Sequence, residues 1–395
     1  MTRLQKIIDA VLAVFLLAMI FTFGYKTVWE NRDSLLHSVR SLSRLKAYMP
    51  ENYDAMDLFS ARINSLDTAL NNAMWKKDEL GYLNSTFQYA LGKRMIATGK
   101  YNMVTLPTGD LYDLPQLTDT TNQTDEIIAF AKSVDVPLTY VLEHPTTYEG
   151  NMPEGGYAML DEGTYMSDKI RADLQAGGVR VMDSRDILSG LDTSEIVLRT
   201  DQHWTSRAAL IMARAVAEEM GLEGEKLDME NFDSETYPEK FLGKYGQKVG
   251  AGNVRPDDIT VFWPAYDTCI ERYTLNNGEE ENVSGTFREA VIKWENLSGE
   301  GWNIDAYRDY GLTEDLEHFH NEDAPDVTIL VYKDSYSAPI AAFLSLTARD
   351  VYAVDMRKSR ELAGYYVEKY RPDRILMAYS RQMLCDNEYD LMEGY

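Results

Sequence analysis

The alternation of short apolar runs with helix-length runs between Asp326 and Ala378 constrains this chain more than any other feature. Asp326–Tyr332 (DVTILVY) reads as a buried strand. The helix Ala338–Ala348 follows, then the strand Asp350–Val354, the helix Ser359–Tyr370 and the strand Arg374–Ala378. Short apolar strands separated by helices pair in parallel, with helices covering both faces of the sheet. The same rhythm runs earlier in the chain: helix Thr124–Ser133, strand Leu138–Leu142, helix Ser167–Ala176, strand Val179–Met182, helix Thr205–Met220. The interval 223–325 breaks it. Its Glu, Asp, Gly and Asn content predicts an insertion of loops and short strands near the rim of the site.

The N-terminus sets the compartment. Residues Ile7–Tyr25 form an apolar run of 19 residues with only Asp9 charged. At 1.5 Å per residue such a run spans a bilayer core. Arg3 and Lys6 precede it, which favours a cytoplasmic N-terminus. No small-x-small cleavage site follows, so residues 1–25 read as a retained signal anchor rather than a cleaved signal peptide. Residues 26–51 read as a stalk. Residues 52–395 read as the main domain, opening with a helix over 52–80 that carries Met56, Phe59, Ile63, Leu66, Leu70 and Met74 at helical spacing. The expected placement is a single-pass membrane protein with its catalytic domain outside the cytoplasm.

Composition excludes one class. The formal net charge is -25, which repels phosphate backbones and argues against nucleic-acid binding. Two cysteines, Cys269 and Cys385, are too few for a disulfide framework, and their spacing leaves open whether they pair.

Five histidines, His37, His144, His203, His318 and His320, are the candidates for a general base. His203 lies in Thr200-Asp201-Gln202-His203-Trp204-Thr205. In an extended segment residues two apart share a face, so Asp201 can orient the His203 imidazole. The bland alternative is a helix cap at Asp201 and a packed His203. A second block, Val331-Tyr332-Lys333-Asp334-Ser335-Tyr336-Ser337-Ala338-Pro339, runs from an apolar strand through a turn and a serine into a helix. Strand-turn-helix is how α/β folds present a nucleophile beside free backbone N–H groups. Here too a capping serine is the plain alternative.

Taken together, D-x-H-W-T before one helix and K-D-S-Y before another resemble the DHHW proteins, SGNH-hydrolase-like relatives of the alginate O-acetylation proteins. The stretches VLEHPTTYEGNMPEG, FLGKYGQKVGAGNVRPDDITVFWP and VYAVDMR are similar to segments of the same family. The resemblance implies an α/β, flavodoxin-like SGNH fold with a central parallel sheet, in a permuted order because the serine block comes last. It implies Ser335 as nucleophile, His203 as base and Asp201 as orienting acid, with no cofactor. Lys244, Tyr245, Arg357 and His144 are candidates to line the pocket. Two departures stand out: Gln202 occupies the second position of the D-x-H-W motif, and Lys333 stands where G-D-S motifs have glycine, so its side chain must point away. The expected activity is O-acetylation of a cell-surface or secreted polysaccharide through an acyl-Ser335 intermediate, with acetyl groups supplied by a membrane-bound O-acyltransferase partner. The alternatives are a carbohydrate acetylesterase and a non-catalytic glycan-binding or assembly protein. The stretch Glu317–Asp323 contains His318-x-His320 in what reads as an acidic loop. H-x-H alone is a weak ligand pattern, so no metal is expected there.

Overall fold

The computed structural model describes residues 3–32, 75–98, 101–105, 109–114, 117–143, 162–276, 278–311, 315–359, 361–386 and 391. Two compact units, Met1–Asn84 and Ser85–Tyr395, divide the chain. In the first, helix α1 (Arg3–Glu30) contains Val11–Glu30, long and apolar enough to cross a membrane. It runs five residues beyond Tyr25, because nothing in Lys26–Glu30 breaks a helix. Most of the expected stalk and of the 52–80 helix falls on 33–74, outside the described residues. Helix α2 (Lys77–Ala90) follows.

A three-stranded antiparallel sheet comes next: β1 (Met95–Thr98), β2 (Tyr101–Thr105) and β3 (Leu111–Asp113). Then come α3 (Thr121–Ser133), β4 (Leu138–Leu142), α4 (Gly163–Ala176), β5 (Arg180–Asp183) and α5 (Ser206–Glu219). Between α5 and the serine block lie β6 (Phe232–Phe241), α6 (Lys244–Val249), β7 (Asp257–Pro264), β8 (Ile270–Asn276), β9 (Glu279–Gly285) and β10 (Leu316–His320). The chain closes with β11 (Thr328–Lys333), α7 (Ala338–Leu344), β12 (Asp350–Asp355), α8 (Ala363–Tyr370) and β13 (Arg374–Tyr379).

The central sheet has eight strands in the order β5-β4-β13-β11-β12-β10-β8-β9. The first five are parallel to their neighbours, and β10, β8 and β9 continue the sheet antiparallel. Counting the parallel strands from β11 as the first gives the order 2-1-3-4-5, the flavodoxin-like arrangement. The fold is thus a circular permutation in which the serine-bearing strand enters late.

Successive residues of β11 face opposite layers. Val331 joins a cluster with Ala208, Met212, Ala213, Val216, Ala341 and Ala342 from α5 and α7. Leu330 and Tyr332 join Ile127, Phe130, Ile170 and Leu174 from α3 and α4. A strand buried on both faces needs an unbroken apolar run, which is what the sequence carries here. The stripe of alanines on α5 lets it pack closely on α7.

Three expectations are revised. The interval 223–325 is richer in strands than expected: β6 and β7 form an antiparallel ribbon, and β8, β9 and β10 extend the main sheet. The stretch expected as an acidic loop around His318 is strand β10. Helices α7 and α8 are shorter than predicted. Ser345 Oγ and Thr347 Oγ1 turn back onto the carbonyls of Ala342 and Leu344 at the end of α7, and Ser359 bonds the backbone of Glu361 ahead of α8. Such side chains compete with the helical ladder.

Candidate active site

The turn after β11 carries Ser335 at the carboxyl edge of the sheet, where β11 and β13 meet. This is the topological switch point, where α/β folds bind ligands. Asp334 staples the two strand ends together. Its Oδ1 accepts from Tyr336 N at 2.8 Å and its Oδ2 from Ser380 N at 2.8 Å. Ser337 Oγ donates to Ala378 O at 3.1 Å, a second tie across the same gap.

The loop before α5 brings His203 to that turn. His203 Nε2 lies 2.8 Å from Ser335 Oγ, although 132 residues separate them. His203 Nδ1 lies 2.5 Å from Asp201 Oδ1. Asp201 and His203 are buried, whereas Ser335 is partly exposed. The imidazole sits between Tyr307 and Tyr336, with ring centroids at 4.6 and 4.8 Å. Trp204 Nε1 donates to Tyr336 O at 2.9 Å, and Tyr336 Oη donates to Gln202 O. The tryptophan after the histidine thus locks the two blocks to each other.

Burial alone raises a carboxyl's pKa, yet Asp201 is held below the usual carboxylate range. Its interactions with His203 and the N–H of Lys244, which donates to Oδ2 at 2.8 Å, outweigh desolvation. The same turn supports the loop from below. Gly243 N donates to Thr200 Oγ1 at 2.8 Å, and Tyr245 N to Thr200 O at 3.0 Å. Gly243 has no room for a side chain: a Cβ there would stand 2.4 Å from the Asp201 Cβ and 2.5 Å from Thr200 O. Asp257, at the start of β7, accepts from Arg199 N, Thr200 N and Thr200 Oγ1 at 2.6, 2.9 and 2.5 Å. Burial nevertheless pushes its pKa up to about 6.

The other sequence candidates are placed as follows. Lys244 is exposed beside Asp201 and touches it through its backbone. The Tyr245 side chain is buried with Met103, Leu111, Leu242 and Val249, so it packs and does not face solvent. Arg357 forms a bidentate pair with Asp355 at 2.8 and 2.6 Å. His144 lies outside the described residues. Lys333 points away from Ser335, as a lysine in a glycine position must. Its Nζ donates to Glu317 Oε2 at 2.6 Å, and Arg272 Nη2 donates to Glu317 Oε1 at 2.5 Å, all three fully buried. The two cations pull Glu317 down to about 2 against its desolvation.

Gly243, Asp257 and Glu143 escaped the sequence reading. Burial first, and then the Asp334 carboxylate, push Glu143 well above the usual range, opposed by Arg357. Cys269 is a free, exposed thiol. A cavity of about 380 Å³ lies beyond Trp204 and Tyr307 and contains Glu195, Ser206 and Asp309 in its wall; none of Asp201, His203 and Ser335 lines it.

The fold is that of an SGNH hydrolase-like domain. Residues 140–293 match the family model described as the SGNH hydrolase-like domain of acetyltransferase AlgX. A DHHW family protein from Eubacterium siraeum has a TM-score of 0.59 at 17% identity, covering 76% of this chain and 99% of that one. Bacillus cereus PatB1 with a sulfonyl adduct has a TM-score of 0.59 at 16% identity, covering 75% of this chain and 100% of that one. The resemblance drawn from the D-x-H-W-T and K-D-S-Y blocks is borne out by this domain match and by the shared fold. The sequence matches no curated protein.

Proposed function

We propose that this chain is a serine acyltransferase that O-acetylates a polysaccharide outside the cytoplasm, with Ser335, His203 and Asp201 as its catalytic triad. The observation that carries the reading is the continuous hydrogen-bonded chain from Ser335 Oγ through His203 to the buried Asp201. In this mechanism Ser335 Oγ attacks the carbonyl carbon of an acetyl ester while His203 Nε2 takes its proton. Asp201 holds Nδ1 protonated and stabilises the imidazolium. The Ser335 N–H, which donates to no acceptor among the described residues, is assigned to the oxyanion. The carbonyl re-forms, the alcohol leaves with the proton from His203, and the acetyl group stays on Ser335. A sugar hydroxyl then gives its proton to His203 and takes the acetyl group, and His203 returns the proton to the departing Ser335 Oγ.

Support for the acetyl substrate comes from the match to the AlgX acetyltransferase domain. PatB1, of like fold, has been captured with a sulfonyl adduct, and activated hydroxyls of the kind proposed here attack the sulfur of sulfonyl reagents. The apolar helix α1 supports a single-pass membrane anchor. The acetyl donor assigned in this reading is a membrane-bound O-acyltransferase. Lys244 and Arg357 are assigned to the substrate rim. The competing reading is a carbohydrate acetylesterase, in which water resolves the acyl-enzyme. Incubation with an acetyl ester, with and without a glycan acceptor, separates the two. Acetylated glycan supports the transferase, and free acetate unaffected by acceptor contradicts it. If polymer acetylation in cells is unchanged by Ser335→Ala, both enzymatic readings give way to a glycan-binding or assembly role.

A further inference from the structure

The register of β10 against β12 creates a second cluster, remote from Ser335. His318 and His320 are two apart on β10 and share one face. Asp350, the first residue of β12, pairs directly with His320 and lies diagonal to His318. Its Oδ1 is 2.7 Å from His318 Nε2 and 2.8 Å from His320 Nδ1. The three candidate donor atoms lie within 4.8 Å of one another. Each side chain is about a quarter exposed, so an ion has a path in and room for water.

We infer that His318, His320 and Asp350 form a divalent transition-metal site of the zinc type. Two imidazoles and one carboxylate, with a water in the fourth position, suit that class of ion. The donors are also held from behind. His320 Nε2 lies 3.2 Å from Glu322 Oε1, an outer carboxylate that puts the proton on Nε2 and leaves Nδ1 free to ligate. His318 is stacked on Tyr352 at 4.1 Å and 7°, and Tyr352 on Tyr370 at 3.8 Å and 11°, which fixes the plane of the imidazole. Ligands around a tetrahedral ion stand roughly 3.3 Å apart given metal–ligand bonds of about 2 Å. The carboxylate therefore withdraws by about half an ångström from its present contacts, and the two imidazole nitrogens, which stand within 4.8 Å of each other, close toward the same spacing. Asp350 pairs with Thr328 at the start of β11, whereas Ser335 lies past the other end of that strand. The ion therefore clamps antiparallel β10 to the parallel core and takes no part in acyl transfer.

The test uses the full-length chain in detergent, stripped of metal and titrated calorimetrically with Zn²⁺. One saturable ion per chain is expected, with a rise in melting temperature that tracks occupancy. His318→Ala and Asp350→Asn should abolish both effects. Glu322→Gln, at a residue whose side chain is 81% exposed, leaves the fold intact and should weaken binding by roughly 10- to 100-fold. Turnover of an acetyl ester should be the same in wild type with and without Zn²⁺. The inference is overturned by an absence of saturable Zn²⁺ binding. It is equally overturned by binding that survives His318→Ala and Asp350→Asn, or by binding lost in His203→Ala, which locates the ion on the imidazole beside Ser335.

Discussion

Gly243 lies against Asp201 so closely that any side chain at 243 would occupy the space of the Asp201 side chain. Its neighbour Lys244 supplies the N–H that Asp201 Oδ2 accepts. Gly243→Ala should therefore displace the carboxylate without touching a reacting group. A shift of about 1 Å in catalytic geometry costs on the order of 100-fold. We predict that loss in kcat/KM toward an acetyl ester, with far-ultraviolet circular dichroism unchanged. Wild-type turnover in Gly243→Ala would refute the positioning role.

Asp201→Asn keeps the size of the side chain and removes its charge. The imidazole then loses the acceptor that keeps the proton on Nδ1. The corresponding change in the serine protease triad costs about 10,000-fold in kcat, and a loss of that order is expected here with KM little altered. A loss below about tenfold would remove Asp201 from the proposed triad.

The buried Lys333–Glu317–Arg272 group makes a separable prediction about stability. Lys333→Met leaves Glu317 with one of its two cations. Removing one partner of a buried charge pair costs about 3–5 kcal/mol. Denaturant unfolding should show a loss of that size, while turnover per folded molecule stays within a few-fold of wild type, because Nζ faces Glu317 and not Ser335. Equal stability of wild type and variant would contradict the assignment of charge to this group.

Asp309 gives a pH signature. Burial pushes its carboxyl from 3.8 up to about 8, with Ser206 Oγ donating to Oδ2 at 3.3 Å. Between those two pH values the folded chain keeps a proton that the unfolded chain has released. Stability therefore falls as pH rises from about 4 to about 8, with a slope approaching ~1.4 kcal/mol per pH unit from this group. Above pH 6, where the raised Asp257 has also titrated, the Asp309 contribution persists. Asp309→Asn should flatten the slope between pH 6 and 8 in denaturant titrations. An unchanged slope would show that Asp309 ionises normally.

Local chemistry made much of this molecule readable in the sequence. Strand Leu138–Leu142 was predicted at the bounds observed, and β11, β12 and β13 fell within two residues at each end, because strands buried on both faces must be apolar throughout. Asp201, His203 and Ser335 were legible because each sits in a short block with its own chemical logic. Their supports were not. The Asp257 carboxylate is held mostly by the backbone N–H groups of Arg199 and Thr200, and Asp201 by the Lys244 N–H; backbone groups carry no side-chain signature. Lys333 looked like a defect in its motif, because its partners Glu317 and Arg272 lie on strands whose register only the folded sheet reveals. The antiparallel edge of the main sheet went unread for a related reason. Half-exposed strands carry mixed polar residues that resemble loops, as β9 with Glu279, Glu280 and Glu281 does.

The central claim is that Ser335 becomes covalently acylated with the help of His203. Full-length protein treated with an aryl sulfonyl fluoride, and separately with an activated acetyl ester, can be digested and analysed by mass spectrometry. The account predicts one adduct per chain, on the peptide containing Ser335, and its loss in His203→Ala. Turnover of an acetyl ester by Ser335→Ala at the wild-type rate, or an adduct on another residue that blocks activity, would contradict it.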